Sequence, residues 1–276
     1  MDAALIAGSV QELVAAIPDG ALLCVPRDGS GVAMAATRAL LRGGVGNLHL
    51  LAVPSSGIQA DLLIGAGRVA VVEAAGITLG EYGLAPAFNR AVRGARVRLL
   101  DATCPAIHAS LQAAEKGLPF MPLRGLIGSD LVRHRPDWRQ IDNPFGQDDP
   151  IVLLPACRPD ISLFHAALAD RQGNVWVGRD RECMTMAHAA KTTLVTVEEI
   201  VEFDLMADAR YAPGTLPGLY VERIAVASRG AWPLGLTDRY PPDGEHLRLY
   251  ARAAASEEGF ARYLEEQVHG RRAAAE

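Results

Sequence analysis

The sequence predicts an α/β protein built on an open, mainly parallel sheet with helices on both faces. Half of the 276 residues are hydrophobic and only 5% are aromatic, a composition typical of a close-packed parallel sheet covered by helices. Short β-branched runs also alternate with stretches of helical period. This order favours βαβ units with right-handed crossovers.

The alternation can be followed along the first half of the chain. Strands are predicted at residues 21–26, 47–53, 68–75 and 96–103, and helices at residues 32–44, 60–67, 85–94 and 105–117. Pro86 suits the first turn of the third helix because its fixed φ matches helical backbone. Gly117 suits the end of the fourth helix because glycine readily adopts the left-handed conformation of a helix cap.

The periodicity is lost between Met121 and Pro150, among proline, glycine, aspartate and arginine. Compact domains usually keep a loop of this length for binding or covering a site, so this segment is predicted to be a lid or an interface. Apolar segments then resume and look continuous, as buried parallel strands do. These segments cover residues 150–156, 160–170, 174–178 and 193–200, with a predicted helix at 183–191.

The sequence divides into two parts. Residues 1–203 are predicted to form the α/β domain. Beyond Phe203 the sequence is punctuated by proline and glycine, and it ends in a helical stretch at 246–268. Residues 204–276 are therefore predicted to form a C-terminal helical extension that packs on the domain or on a partner subunit.

Charge and hydropathy exclude two classes of partner. The net charge of -5 is mild and not clustered, so a nucleic acid partner is not expected. No run of about 18 apolar residues occurs and the N-terminus lacks a signal pattern, so no membrane insertion is expected and a cytoplasmic location is predicted.

Cysteine and histidine spacing gives no sign of a metal site. The four cysteines stand 80, 53 and 26 residues apart, and the seven histidines are spread singly. Zinc sites need close pairs of such ligands, so no metal is predicted. Reduced, structural thiols are the expected state of the cysteines.

Two strand-to-helix turns are candidates for ligand binding, because open α/β sheets bind ligands at the carboxyl ends of their strands. The first turn contains Gly29, Ser30 and Gly31, whose backbone N–H groups could hold a phosphate or a thioester oxygen. An ordinary tight turn is the alternative. The second turn contains Ser55, Ser56 and Gly57, which could bind substrate or simply cap the next helix.

A third turn places a carboxylate at the same predicted edge. Glu81 follows Gly80 after the third strand. A carboxylate here could act as a general base or a nucleophile. A solvated glutamate near a helix start, favoured by the helix dipole, is the alternative.

The chain resembles the alpha-type subunits of the family I coenzyme A transferases, in particular those of the glutaconate CoA-transferase group. The resemblance covers about residues 20–268, and DRQGNV and VTVEEIV in this order are its most specific parts. The segments that carry it are ADLLIGAG, GEYGLAPAFNRAV, TCPAI, GLPFMPLRGLIGSDL, HAALADRQGNVWV, HAAKTTLVTVEEIVE and GAWP.

The resemblance implies a fold shared with glucosamine-6-phosphate deaminase and ribose-5-phosphate isomerase. It also implies a heteromeric enzyme, a heterodimer or an α2β2 heterotetramer, that moves coenzyme A between an acyl-CoA and a small carboxylic acid. The coenzyme A thioester is then a substrate, and no bound cofactor is expected. The nucleophilic glutamate of such enzymes belongs to the beta-type chain, and this sequence has no obvious ENG or ESG nucleophile.

The resemblance leaves two other functions open. A related group cleaves a ring in a steroid-derived acyl-CoA with a glutamate of the alpha-type chain acting on water, and Glu81 is the matching position here. A non-catalytic structural or ligand-sensing subunit is the second alternative. One departure from the family pattern stands in the first turn, where VPRDGSG replaces a GGFG-like run.

Overall fold

The computed structural model describes residues 5–270. Within them the strands are β1 Leu22–Val25, β2 Leu48–Ala52, β3 Val69–Ala74, β4 Arg98–Asp101, β5 Phe120–Leu123, β6 Arg139–Asp142, β7 Pro150–Pro155, β8 Ile161–Asp170, β9 Val175–Trp176, β10 Thr192–Val201, β11 Thr215–Leu216 and β12 Arg223–Val226. The α-helices are α1 Val10–Val14, α2 Met34–Gly43, α3 Ile58–Gly65, α4 Pro86–Arg93, α5 Cys104–Glu115, α6 Leu131–His134, α7 Arg181–Ala189, α8 Gly244–Ala253 and α9 Glu257–Leu264.

The main sheet is open and mostly parallel, which confirms the predicted fold class. Its parallel strands lie in the order β4, β3, β2, β1, β8, β10, β12, and the short strands β9 and β11 extend it in antiparallel pairing. The strands β1 to β4 run outward in chain order, while β8 lies on the other side of β1. The strand order therefore reverses between β1 and β8, and ligands of open α/β sheets bind at such a point.

Helices cover both faces of the sheet, as the apolar strands predict. Leu23 and Val25 of β1 point into a core that also contains residues of α1, α2, α3, α4, α8 and α9. Cys24, between them, points into a second core formed with α5, α7 and β7. Burial on both faces is what a continuous apolar strand requires.

The prediction of a loop between residues 121 and 150 is wrong, whereas its role as a lid or an interface stays a prediction. The strands β5 and β6 both pair with β7 in a three-stranded antiparallel sheet, ordered β5, β7, β6. The residues of β6 are all exposed, and β5 alternates between exposed and half-buried residues. The β6 residues are mostly polar, and β5 is apolar but contains Pro122, which argues against a strand when the sequence is read alone.

The C-terminal part differs from one long helix over residues 246–268. The helices α8 and α9 are separate because Ser256 caps α9, its Oγ accepting a hydrogen bond from the Gly259 amide at 3.0 Å. The described part of 204–276 also supplies strands β11 and β12 to the main sheet. The division of the chain at residue 203 stays a prediction, and the ends of both predicted units lie outside the described residues.

Arg135 anchors the second sheet to the main one. Its side chain is 4% exposed, and Nη2 donates hydrogen bonds to Glu73 of β3 at 2.7 Å and to Asp137 at 2.8 Å. The guanidinium lies over the ring of Trp138, with Cζ 4.4 Å from the ring centroid. Because the charge is buried and paired on both sides, it fixes the 121–150 segment against the sheet.

Replacing Arg135 with Met is expected to lower the free energy of unfolding by about 3 kcal/mol, because it leaves the half-buried Glu73 without its partner. Arg133→Met is the matched control, since Arg133 and its partner Asp130 are both 82% exposed and such pairs contribute about 0–1 kcal/mol. Urea unfolding of both variants measures the difference. Equal losses in the two variants would contradict the anchoring role.

Candidate functional site

A cleft of about 860 Å³ lies at the carboxyl edge of the main sheet. Its inner side is formed by the turns that follow β1, β2 and β3, and its outer wall by residues 234–242. Four of the candidate residues line it, namely Gly29, Ser55, Gly80 and Glu81. The fold thus brings parts of all three predicted turns to one site.

Ser30 and Gly31 lie behind the cleft rather than in its lining. Ser30 is buried, and its hydroxyl donates a hydrogen bond to Asp180 at 3.2 Å. Gly31 has φ +68°, and a Cβ there would stand 2.0 Å from the carbonyl oxygen of His165 in β8. This glycine is required by the close contact of the first turn with the neighbouring strand.

Gly57 immediately precedes α3 and lies against the side chain of Asp28. A Cβ at Gly57 would lie 2.1 Å from Oδ2 of Asp28, and the Gly57 amide donates to Oδ1 at 3.1 Å. Ser56 is fully buried, and neither Ser55 nor Ser56 caps α3 through its side chain. The predicted cap at this helix is therefore supplied by Asp28, which reaches over from the first turn.

Asp28 lines the cleft, and its carboxyl group is a weaker acid than an ordinary aspartate. Burial raises its pKa to about 7, against the hydrogen bonds from the Ile58 and Gly57 amides, which act to lower it. The backbone N–H of Asp28 also donates to the carbonyl of Ser55 at 3.1 Å. Two turns are thus joined through one residue that can hold or release a proton near neutral pH.

Glu81 sits on a single 3₁₀ turn, Gly80–Tyr82, at the mouth of the cleft. The residue is exposed. Tyr82 is hydrogen-bonded to it, and this contact raises the pKa of the Tyr82 phenol. Glu81 is therefore placed where it can meet a ligand.

Glu198 of β10 fixes the outer wall. Its Oε1 lies 2.8 Å from His165 Nε2 and accepts a hydrogen bond from the Tyr240 hydroxyl at 2.7 Å. Its Oε2 accepts from the Arg229 amide at 2.8 Å. Burial acts to raise the pKa of Glu198, but the bonds from His165, Tyr240 and the Arg229 amide lower it to about 2.

Arg27 forms the charged rim of the cleft beside the first helix turn of α7. Its Nε donates to Oε2 of Glu182 at 3.1 Å, and Nη2 lies 3.9 Å from Asp180. Burial raises the pKa of Glu182, while the charge of Arg27 lowers it. The guanidinium is thus held by two half-buried carboxylates.

Residues 5–270 contain neither a cluster of metal ligands nor a membrane-spanning helix. No group of three or more His, Cys, Asp or Glu side chains there could hold a metal ion. None of the helices in that range is long and apolar enough to cross a bilayer.

Sequence reasoning missed Asp28, His165, Glu198 and Tyr240. Asp28 stands in the one turn that departs from the family pattern, and that departure was the available signal. His165 and Glu198 lie within apolar strands, and their contact joins residues 33 apart. Pattern reading along the chain gives no signal for such a pair.

Asp28→Asn should gain stability over the unchanged protein as the pH rises. A carboxyl whose pKa is about 7 in the fold and 3.8 when exposed stabilises the fold fully below pH 3.8, and loses this contribution as the pH rises towards 7. Asn does not titrate, so the melting temperature of Asp28→Asn relative to the unchanged protein should be higher at pH 8 than at pH 5. Calorimetry at both pH values measures this, and an identical difference at both would contradict the raised pKa.

Comparison with known proteins places the chain in a family. Residues 8–227 match the family model described as coenzyme A transferase. The A subunit of glutaconate CoA-transferase from Acidaminococcus fermentans is 30% identical over 254 residues, 85% of this chain and 78% of its own length. The A subunit of 3-oxoadipate CoA-transferase from Pseudomonas knackmussii is 32% identical, over 86% of this chain and 83% of its own.

Other relatives carry other names. The cholesterol ring-cleaving hydrolase IpdA subunit of Rhodococcus jostii is 28% identical, over 86% of this chain and 82% of its own length. A relative from Archaeoglobus fulgidus is 33% identical over 84% of this chain. The match covers only 52% of that protein, so this chain spans about half of its length.

Solved structures agree with the sequence matches. The crystal structure of the Acidaminococcus fermentans glutaconate coenzyme A-transferase superposes with a TM-score of 0.88 at 25% identity, over 95% of this chain and 88% of that one. The decarboxylase AibA/AibB, solved as a C56S variant, gives 0.81 at 30% identity, over 96% and 100%. By its sequence and its fold, the chain belongs to the coenzyme A transferase family and is similar to that family's A subunits.

Proposed function

We propose that this chain is the alpha-type subunit of a heteromeric coenzyme A transferase, and that a beta-type partner supplies the nucleophilic glutamate. The cleft between the turns after β1, β2 and β3 and the outer wall then receives the acyl part of the thioester. A partner chain would close the cleft from its open side.

The observation that carries the proposal is the convergence of three separate turns on one cleft. Gly29, Ser55 and Gly80 bring small residues to its surface, so that a ligand can approach the backbone closely. Membership of the coenzyme A transferase family and the similarity to A-type subunits support a thioester as the ligand of this cleft. A thioester is a substrate that needs no metal or bound cofactor to undergo transfer to a carboxylate.

The reaction proceeds through two covalent states of the partner's glutamate. Its carboxylate attacks the thioester carbonyl, the C–S bond breaks, and coenzyme A leaves as a thiolate while an acyl anhydride forms. The thiolate then attacks the glutamyl carbonyl of the anhydride, which releases the first carboxylic acid and leaves a glutamyl-CoA thioester. The acceptor carboxylate then attacks the glutamyl-CoA thioester, and the same steps in reverse give the new acyl-CoA and the free glutamate.

Hydrolysis of an acyl-CoA is the second candidate, and the position of Glu81 favours it. The carboxylate is exposed at the cleft, where it could take a proton from a water molecule attacking the substrate. The IpdA subunits named as ring-cleaving hydrolases are relatives of this chain. The two candidates differ in whether a glutamyl-CoA thioester forms.

Borohydride should inactivate the complex of this chain with its partner only after acyl-CoA has been added. Borohydride reduces a glutamyl thioester to an alcohol, so the modified glutamate becomes a stable mark. Peptide mass spectrometry is expected to find that mark on the partner chain. Full turnover without any trapped glutamate would contradict the transferase proposal, and the same complex treated before acyl-CoA addition is the control.

Glu81→Gln tests the hydrolase candidate. If Glu81 activates water, its replacement should lower thioester hydrolysis by about 10²–10⁴-fold, because a general base contributes that much. Glu258→Gln, an exposed glutamate at the start of α9, is the matched control. Hydrolysis that survives Glu81→Gln at the control's rate would remove Glu81 from the mechanism.

A further inference from the structure

We propose that the cleft accepts an uncharged, apolar acyl group, and that Asp28 is the residue that excludes acyl groups carrying a second carboxylate. The inference rests on the proposed function, since it names the substrate class of that same cleft. Three observations carry it: the apolar walls, the pairing of the arginines that line the cleft, and the position of Asp28.

Four leucines contribute apolar surface to the cleft. Leu79 stands on the inner side, Leu234 and Leu236 on the outer wall, and Leu247 of α8 also lines it. Pro241 and Pro242 continue the outer wall. An aliphatic chain placed among these side chains leaves water, which favours binding by about 0.8 kcal/mol per buried methylene.

Each arginine in the lining already has a carboxylate partner. Among the described residues, the cations that line the cleft are Arg27 and Arg239. Arg27 is held by Glu182 and Asp180, and Arg239 Nη1 lies 3.8 Å from Glu199. A second carboxylate on the acyl group would have to compete with these acids for a guanidinium.

The carboxylates that line the cleft also disfavour binding of an acyl group with a second carboxylate. Asp28, Glu81 and Asp238 all face the cleft. Together with the two arginines they give the lining a formal charge of -1 when every group is ionised. A negatively charged acyl tail would meet like charges here, and such contacts oppose binding.

Asp28 also occupies the position where an anion would otherwise be favoured. The Asp28 carboxylate already accepts hydrogen bonds from the amides at the start of α3. These donors therefore do not attract the carboxylate of a ligand. This assignment separates the chain from the relatives named after glutaconate and 3-oxoadipate, which are dicarboxylic acids.

Two acyl-CoA substrates of equal chain length test the proposal on the complex of this chain with its partner. Hexanoyl-CoA and adipoyl-CoA differ in one terminal carboxylate, and acetate serves as the common acceptor. At pH 8 the kcat/KM for hexanoyl-CoA is expected to exceed that for adipoyl-CoA by at least about tenfold, the effect of a single unfavourable charge contact. Asp28→Asn should reduce this ratio by about threefold or more.

Asp142→Asn is the matched control, since it removes one exposed carboxylate of β6 that is not part of the cleft lining, and it should keep the original ratio. Asp28→Ser is a second variant if Asp28→Asn does not fold. A preference of the unchanged complex for adipoyl-CoA, or a ratio that both Asp28 variants leave at the control's value, would overturn the proposal.

Failure of the transferase proposal can be distinguished from failure of the specificity proposal. If neither acyl-CoA transfers its coenzyme A, the transferase proposal fails. The equilibrium dissociation constants of the two acyl-CoAs, measured by calorimetry on the same complexes, then test the specificity alone. Equal or tighter binding of adipoyl-CoA would overturn the exclusion by Asp28.

Discussion

The outer wall of the cleft depends on the half-buried carboxylate of Glu198. Its hydrogen bonds lower its pKa to about 2, so at neutral pH it carries a charge that donors must match. The Tyr240 hydroxyl and the Arg229 and Gly230 amides supply hydrogen bonds. Because an ionised carboxylate only accepts, His165 must carry its proton on Nε2, and Nδ1 then faces Thr196 Oγ1 at 2.9 Å.

These contacts tie the outer wall to the centre of the sheet. His165 lies on β8 and Glu198 on β10, whereas Tyr240 belongs to the wall itself. Gly230 packs so closely that a Cβ would stand 2.5 Å from the His165 ring. On the other side of His165, its backbone N–H donates to the carbonyl of Gly31 at 2.6 Å. The buried His165 thus contacts the first turn directly and the outer wall through Glu198 and Tyr240.

Local pattern was sufficient for much of the fold. The strands β1, β2 and β3 and the start of α4 at Pro86 follow from apolar runs, proline and glycine, because each signal acts on its own neighbourhood in the chain. The strands β5, β6 and β12 do not follow. Their residues are partly exposed, and their pairing partners β7 and β10 are identified only once the chain has folded. The same holds for Asp28, because burial raises its pKa and its hydrogen-bond partner Gly57, before α3, stands 29 residues further along the chain.

Two of the three carboxylates that line the cleft, Glu81 and Asp28, have unlike environments that suit them to different tasks. Glu81 is exposed on a short turn at the mouth of the cleft, where a ligand or a water molecule can reach it. Asp28 is desolvated and tied to amides of α3, so it cannot reach out without losing those hydrogen bonds. Groups with such contrasting surroundings take on separate roles within one site. An exposed acid at the mouth suits chemistry or contact with a partner, whereas a desolvated acid held by backbone amides suits selection of the acyl group.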